Sequence, residues 1–255
     1  MITDKFIILT AGRSGSTYLQ RLLNSHPAVT CYDEIFNVTN KSENSFYSFC
    51  QRVYPKLSFL FLRGKFSGSS FNFPLTHLFR QYIKFLYKNP SGDKIGFKVI
   101  YHQLLYYYPL VDWLEKNSIP IIHLQRRNPL KAVLSHAKAK HTGVYVSTSE
   151  TTLAFEKITV DPQVILDELA LAENQKKSCD PIIQNHPTLI IFYEDLFEKQ
   201  PIALQDLGKF LKLEELSFTS PNITKTNPEN IRDMIQNYDA VVAALTGTKW
   251  EKYLD

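Results

Sequence analysis

The sequence is poor in cysteine and has no long apolar run. Its three cysteines, Cys31, Cys50 and Cys179, are an odd number and show no Cys-x-x-Cys spacing. That pattern argues against a disulfide framework and gives a metal site no support. The apolar run Phe6–Leu9 has the length of a strand, far below the ~18 residues of a membrane span. Because the first strand begins almost at Met1, the sequence predicts a cytoplasmic protein with no targeting or transmembrane segment.

The sequence also has no large excess of charge of either sign. Its formal net charge is +4 over 255 residues, and 44% of these are hydrophobic. A mildly basic balance suits an anionic small molecule or a sugar, and it gives no ground for expecting a nucleic-acid partner. There is no internal repeat and no low-complexity tract. We therefore expect one globular domain over residues 1–255, and we leave open whether it forms a homo-oligomer.

Apolar runs of strand length alternate with helical patterns along the chain. The predicted strands are 5–10, 28–32, 95–100, 119–124 and 188–192. The predicted helices lie near 16–25, 75–88, 103–116, 129–140, 161–178 and 201–211. Continuous apolar strands are typical of a parallel sheet that is covered on both faces. The alternation predicts an α/β fold, a P-loop-like three-layer α/β/α arrangement around a central parallel sheet.

Residues 40–92 interrupt this alternation and are crowded with phenylalanine and tyrosine. We interpret them as a helical, aromatic-rich insertion or lid. It is expected to cover the carboxyl edge of the sheet, where open α/β sheets bind ligands. Most of its aromatic residues are expected to pack the insertion itself, and one or two of them to line an acceptor pocket.

The turn after the first strand carries the strongest functional signal. Arg13, Ser14, Gly15, Ser16 and Thr17 lie between an apolar strand and an amphipathic helix. Such a turn directs backbone N–H groups at one point, and the helix adds the positive end of its dipole. The lysine of an ATP-binding P-loop is missing, so the arginine supplies the cation and the three hydroxyls supply donors. The pattern predicts a seat for a phosphate or sulfate group.

A second anion site is predicted after the strand 119–124. Arg127 follows the end of that strand, and Ser135 lies eight residues later on the next helix. A planar guanidinium matches phosphate oxygens, and a serine adds a hydroxyl donor. An ATP-using P-loop enzyme would place a magnesium-binding aspartate at a comparable strand end. The two sites are therefore expected to consist of cations and hydroxyls, without a metal.

Together these two segments resemble the sulfotransferases that use 3′-phosphoadenosine-5′-phosphosulfate (PAPS). The turn Arg13–Thr17 is similar to the family's 5′-phosphosulfate loop. Arg127–Pro129, taken with Ser135, resembles its 3′-phosphate motif. The segments Gly96–Leu104 and Tyr193–Leu196 are similar to the bacterial carbohydrate and lipid branch. The resemblance covers residues 5 to about 215, but the insertion 40–92 matches no known pattern.

The resemblance implies a cosubstrate, a product and a set of binding residues. PAPS would be the donor and adenosine 3′,5′-bisphosphate the product, with no metal. Arg13 would contact the 5′-phosphate and the bridging oxygen, and Gly15 would let the backbone approach closely. Ser14, Ser16 and Thr17 would bind the 5′-phosphate, and Ser16 and Thr17 would also cap the helix. Arg127 and Ser135 would bind the 3′-phosphate. Tyr193 would lie near the adenine.

Transfer to a hydroxyl requires a base within hydrogen-bond reach. Glu34 is the first candidate, because it follows the second strand and because similar carbohydrate sulfotransferases often use a glutamate there. Asp33 is expected to point elsewhere in an extended backbone. His102 is the next candidate base, whereas His123 is expected to be a core residue. Lys98 is expected either to contact the sulfate or to pair with a carboxylate at the sheet edge.

These patterns favour a sulfotransferase that acts on a carbohydrate, a glycolipid or a related hydroxylated metabolite. The acceptor itself, small molecule, glycan or lipid, is not specified by any motif. Two other functions stay open at this point: an ATP-using P-loop phosphotransferase, and a nucleotide-binding module without catalytic activity.

Overall fold

The computed structural model describes residues 4–55, 72–88, 92–145, 156–223, 227–228 and 230–254. A five-stranded sheet forms its centre, with the strand order β2-β3-β1-β4-β5 and every pairing parallel. The strands are β1 (Asp4–Thr10), β2 (Val29–Tyr32), β3 (Lys94–Ile100), β4 (Ile121–Gln125) and β5 (Thr188–Phe192).

Helices follow the strands in the alternation that the sequence predicts. They are α1 (Ser16–Asn24), α2 (Phe46–Val53), α3 (Asn72–Leu86), α4 (Tyr101–Tyr106), α5 (Tyr108–Asn117), α6 (Pro129–Thr142), α7 (Pro162–Gln184), α8 (Asp195–Glu198), α9 (Gln200–Leu211) and α10 (Tyr238–Leu245), with 3-10 turns at Ile231–Asp233 and Glu251–Tyr253. In the part of the chain that the structure describes, none of these helices combines the length and apolarity needed to cross a membrane.

The central strand β1 aligns the carboxyl ends of its neighbours. Thr10 at the end of β1 lies opposite Ile100 of β3 and Leu124 of β4. The segments that leave β1, β3 and β4 therefore emerge side by side at one edge of the sheet. Ligands of open α/β sheets bind at this edge.

Apolar side chains cover the sheet on both faces. Ile7 and Leu9 point to one face and pack in a cluster with Phe97. Phe6 and Ile8 point to the other face, where α1 and α9 pack. All five are at most 1% exposed, and burial of each stabilises the fold by about 1.5–3 kcal/mol. Helical layers on both sides of a parallel sheet confirm the predicted α/β/α fold class.

Several helices differ from their predicted bounds. The helix predicted over 103–116 is divided at Tyr107 into α4 and α5, because Pro109 in the first turn of α5 cannot donate a backbone hydrogen bond. The helix α7 continues to Gln184, past the predicted end at 178. The short helices α2, α8 and α10 were not predicted, since helices of this length depend on tertiary packing more than on local propensity.

The insertion 40–92 is described in part, and residues 56–71 and 89–91 lie outside the described residues. Phe46, Phe79 and Tyr82 are buried in the apolar cluster on one face of the sheet. These three therefore pack as core residues, as most aromatic residues of the insertion were expected to do. Among the insertion's described residues, Asn40 and Lys41 border the cleft at the carboxyl edge. Whether the insertion acts as a lid stays a prediction.

Candidate active site

A cleft of about 1150 Å³ lies at the carboxyl edge of the sheet. Its walls include Arg13 from the turn after β1, Glu34 after β2 and Lys98 on β3. Ser135 on α6 and Tyr193 after β5 complete the set. The fold thus brings together five residues from separate parts of the chain. The sequence analysis predicted four of them as site residues: Arg13, Glu34, Ser135 and Tyr193.

The turn after β1 has the backbone geometry of an anion seat. Arg13 and Gly15 both adopt the left-handed conformation, with φ values of 62° and 83°. A Cβ atom on Gly15 would overlap the ring of Tyr193, so only glycine lets that ring lie against the turn. Gly15 is also the N-cap of α1, and no side chain caps this helix. The prediction that Ser16 and Thr17 cap α1 was therefore wrong, because they are its first two residues.

The side chain of Ser14 points into the fold. It is 1% exposed, and its hydroxyl lies within hydrogen-bond distance of two acceptors, the Thr10 hydroxyl and the carbonyl of Ala11 at 2.5 Å. Thr10 in turn donates to the carbonyl of Leu124 at 2.9 Å. These bonds tie the turn to β1 and β4. Any contact of Ser14 with a donor phosphate would therefore come from its backbone N–H.

The two predicted anion motifs meet at one guanidinium. Arg13 Nε donates to Ser135 Oγ at 3.1 Å, and Arg13 Nη1 donates to the carbonyl of Tyr145. The pKa of Arg13 is lowered, first by burial and then by the positive charge of Arg126. Two cations held close together gain from a bound anion, which would offset their repulsion.

The arginine doublet after β4 divides into two different environments. Arg126 lines the cleft, donates from Nη1 to the carbonyl of Arg13 at 3.3 Å and lies over the ring of Tyr193 at 5.0 Å. Arg127 pairs with Asp195 at 2.7 Å and stacks over Phe192. Arg126 also has an acidic neighbour, since its Nε lies 3.8 Å from Glu194 Oε1. The predicted contact of Arg127 with a 3′-phosphate stays a prediction.

Neighbouring alanine variants separate these two arginines. Because Arg126 already faces the cleft, Arg126→Ala is expected to weaken binding of adenosine 3′,5′-bisphosphate by about tenfold or more. Arg127→Ala is expected to have an effect several times smaller, since Arg127 is not among the residues that line the cleft. Titration calorimetry on both variants measures the difference. A larger loss of affinity in Arg127→Ala than in Arg126→Ala would instead assign the phosphate contact to Arg127.

A buried lysine organises the acidic side of the cleft. Lys98 is 2% exposed, and its Nζ lies 2.6 Å from Asp33 Oδ1 and 3.2 Å from Glu34 Oε1. The same Nζ donates to Thr17 Oγ1 at 3.4 Å. Of the two expectations for Lys98, the structure shows the pairing with carboxylates. The expectation that Asp33 points elsewhere was wrong, because the chain leaves β2 before Asp33 and both carboxylates turn toward one ammonium.

Lys98 favours the ionised form of Asp33. Burial alone would raise the pKa of Asp33, but the charge and hydrogen bond of Lys98 outweigh burial and lower it. Asn37 Nδ2 donates to Glu34 Oε2 at 3.0 Å and so fixes the second carboxylate. Burial lowers the pKa of His102, and the negative charge of Glu34 opposes that effect. His102 is therefore neutral at pH 7 and stays a competing base on the wall of the cleft.

The buried histidine on β4 has a structural role, as expected. His123 is 2% exposed, and its Nε2 is hydrogen-bonded to the hydroxyl of Tyr101 at 2.7 Å. Burial, with a smaller effect of Lys176, lowers its pKa to about 4. Among the described residues, no group of three His, Cys, Asp or Glu side chains is placed to hold a metal ion.

Sequence reasoning missed three contributors to the site. Arg126 was passed over because the motif spacing pointed to its neighbour. Asn37 lies in a turn whose geometry follows from its hydrogen bonds to Glu34 and Thr39, and no periodic pattern marks it. The carbonyl of Tyr145 is a backbone group, so no residue type could have revealed it.

Solved structures with a similar fold were found by comparison. A sulfotransferase from Alicyclobacillus acidocaldarius has a TM-score of 0.49 and 14% identity, with 98% of this chain and 95% of that chain covered. The sulfotransferase domain from the curacin biosynthetic pathway has a TM-score of 0.48 and 14% identity, with 82% and 74% covered. The sulfotransferase domain from the Synechococcus PCC 7002 olefin synthase has a TM-score of 0.43 and 13% identity, with 89% of this chain and 82% of that chain covered.

All three are sulfotransferases. No protein-family model and no curated protein matches the chain. At 13–14% identity the likeness concerns the fold, and an argument about activity must come from the site itself.

Proposed function

We propose that this protein is a sulfotransferase that moves a sulfuryl group from PAPS to a hydroxyl of a carbohydrate, a glycolipid or a related metabolite. The observation that carries the proposal is the contact between Arg13 Nε and Ser135 Oγ, at 3.1 Å. It joins the turn before α1 to the middle of α6 at one cation. Glu34 stands on the wall of the same cleft.

The turn after β1 fits the phosphosulfate end of such a donor. The first N–H groups of α1 have no acceptor within the helix, and the ring of Tyr193 lies against Gly15 beside them. Arg13 and Arg126 supply positive charge beside these donors. When bound, the donor supplies a sulfuryl group joined to a phosphate through a bridging oxygen.

The basic side of the cleft would stabilise the charge that builds on the leaving phosphate. Arg13 is held by Ser135 and by the carbonyl of Tyr145, so its guanidinium is oriented before the reaction begins. Oriented donors in a partly buried site contribute several kcal/mol to such reactions, typically about 3–4 kcal/mol for one donor.

The acidic side would accept the proton of the acceptor. Glu34 Oε1 and Oε2 are held by Lys98 and Asn37, so the carboxylate has a defined orientation toward the cleft. Lys98 also donates to Thr17 at the start of α1 and so joins the base to the donor turn. We assign Glu34 as general base and Lys98 as the residue that positions it.

Nucleotide-dependent thermal stability tests the proposal. A saturating excess of adenosine 3′,5′-bisphosphate, at about 100 times its dissociation constant, should stabilise the protein by about 2.7 kcal/mol. For a chain of this length that corresponds to a rise in melting temperature of about 5–10 °C. AMP, which lacks the 3′-phosphate, should give a smaller shift. Stabilisation by ATP with magnesium and not by the bisphosphate would instead support a phosphotransferase.

A further inference from the structure

The cleft becomes apolar beyond Glu34. Ile100 and Tyr107 line it on the side of β3, and Phe36 and Val38 line it on the side of β2. The rings of Phe36 and Tyr107 pack at 5.3 Å between centroids, which joins the two sides into one wall. Val38 is 40% exposed at this wall although it is apolar. A binding surface of this kind favours apolar parts of a ligand.

The residues next to Tyr107 in the sequence are apolar or aromatic and exposed. Tyr106 is 73% exposed and Tyr108 is 61% exposed, and they flank Tyr107 at the junction of α4 and α5. Leu105, two residues before Tyr107, is 38% exposed. A single exposed apolar residue needs no explanation, but consecutive ones beside a cleft indicate a contact surface.

The two asparagine side chains at this end of the cleft already have partners. Asn37 donates to Glu34 and accepts from the backbone and hydroxyl of Thr39 at 3.0 and 2.8 Å. Asn40 donates to the carbonyl of Glu34 at 3.0 Å and accepts from the backbone of Ser42 at 2.9 Å. Recognition of a free sugar requires several polar groups that can still bond its hydroxyls. The amides here are used to shape the turn that holds the base.

We propose that the acceptor is an amphiphilic alcohol and not a free sugar. This inference rests on the proposed sulfotransferase activity. The reacting hydroxyl lies at Glu34, and the apolar body lies along Ile100 and Tyr107 toward Tyr106 and Tyr108. The acceptor oxygen forms a bond to sulfur while the bond from sulfur to the bridging oxygen breaks. The electron pair of that bond leaves with the phosphate, and the hydroxyl proton passes to Glu34.

A matched pair of acceptors tests the proposal. Octyl β-glucoside and glucose share the same sugar ring, and only the first carries an alkyl chain. With PAPS as donor and the glucoside below its micellar concentration, we expect a kcat/KM about fiftyfold higher for octyl glucoside, the effect of burying about three methylene groups. Calorimetry with adenosine 3′,5′-bisphosphate bound should show the same preference in affinity, independently of turnover.

Surface variants locate the apolar contact. In the double variant Tyr106→Ser/Tyr108→Ser, the preference for octyl glucoside should fall at least about fivefold, while affinity for the bisphosphate is kept. Leu171→Ser is the control, because Leu171 is 55% exposed on α7 and does not line the cleft. That variant should keep the full preference.

The outcomes separate the acceptor class from the activity itself. Transfer at equal kcat/KM to both acceptors would overturn the amphiphile proposal and leave the sulfotransferase proposal standing. An unchanged preference in the double variant would also overturn the assigned surface. If neither acceptor reacts, the calorimetric preference decides the acceptor proposal: equal affinity overturns it. Failure of the protein to bind the bisphosphate would count against the sulfotransferase activity itself.

Discussion

Replacing Glu34 by glutamine is expected to lower turnover by about a hundredfold to a thousandfold while donor affinity stays nearly unchanged. Glutamine has a similar shape and can still accept the hydrogen bond from Asn37. It cannot take a proton from the acceptor. Single-turnover transfer measures the chemical step, and calorimetry with adenosine 3′,5′-bisphosphate measures the donor site separately.

His102→Gln is the matched control for this prediction. His102 lines the same cleft, and its lowered pKa makes it a neutral imidazole at pH 7. If Glu34 is the base, His102→Gln should lower turnover by less than about tenfold. The reverse pattern, in which His102→Gln abolishes transfer and Glu34→Gln is mild, would assign the base to His102.

Gly15→Ala is expected to be the most disruptive single substitution in the donor turn. Alanine at φ 83° carries left-handed strain, and its Cβ would overlap the ring of Tyr193. Strain of about 1 kcal/mol and the displacement of a packed ring should together destabilise the fold by about 2–4 kcal/mol. We expect the melting temperature to fall by about 5–10 °C and affinity for the bisphosphate to fall with it.

A second glycine isolates the contribution of the ring. Gly143 has a similar φ of 73°, but a Cβ there would have no atom within 4 Å. Gly143→Ala should therefore show the strain alone, about 1 kcal/mol, with donor affinity kept. Equal losses of stability and affinity in the two variants would mean that the contact between Gly15 and Tyr193 plays no part in the donor site.

The positions of the strands could be predicted because burial determines them. The apolar stretch Phe6–Leu9 leaves no polar face, which identifies a strand of a covered parallel sheet. Leu189–Phe192 has the same apolar pattern, although it forms the edge strand β5 and Ile190 is 54% exposed. The strand order places the turn of Arg13 beside the start of α6, since β1 pairs directly with β4. This strand order explains why Arg13 and Ser135 meet, although the sequence assigned them to two neighbouring anion sites.

Side-chain partners at the ends of strands could not be predicted in the same way. Whether Arg126 or Arg127 faces the cleft depends on where Asp195 and Tyr193 lie, and these residues follow a strand far along the chain. The convergence of Asp33 and Glu34 on Lys98 depends on the backbone leaving the extended conformation after Tyr32. No local pattern encodes these tertiary contacts.

The left-handed backbone of Arg13 lowers the stability of the fold, whereas its guanidinium serves the proposed donor site. A non-glycine residue at φ 62° costs about 1 kcal/mol, and the half-buried guanidinium beside Arg126 adds a charge cost. Glycine at position 13 would remove the backbone strain and the charge cost, and it would also remove the cation from the turn after β1. Selection for thermal stability alone would therefore favour loss of Arg13, and under the proposed function such a variant would lack one of the cations that bind the donor.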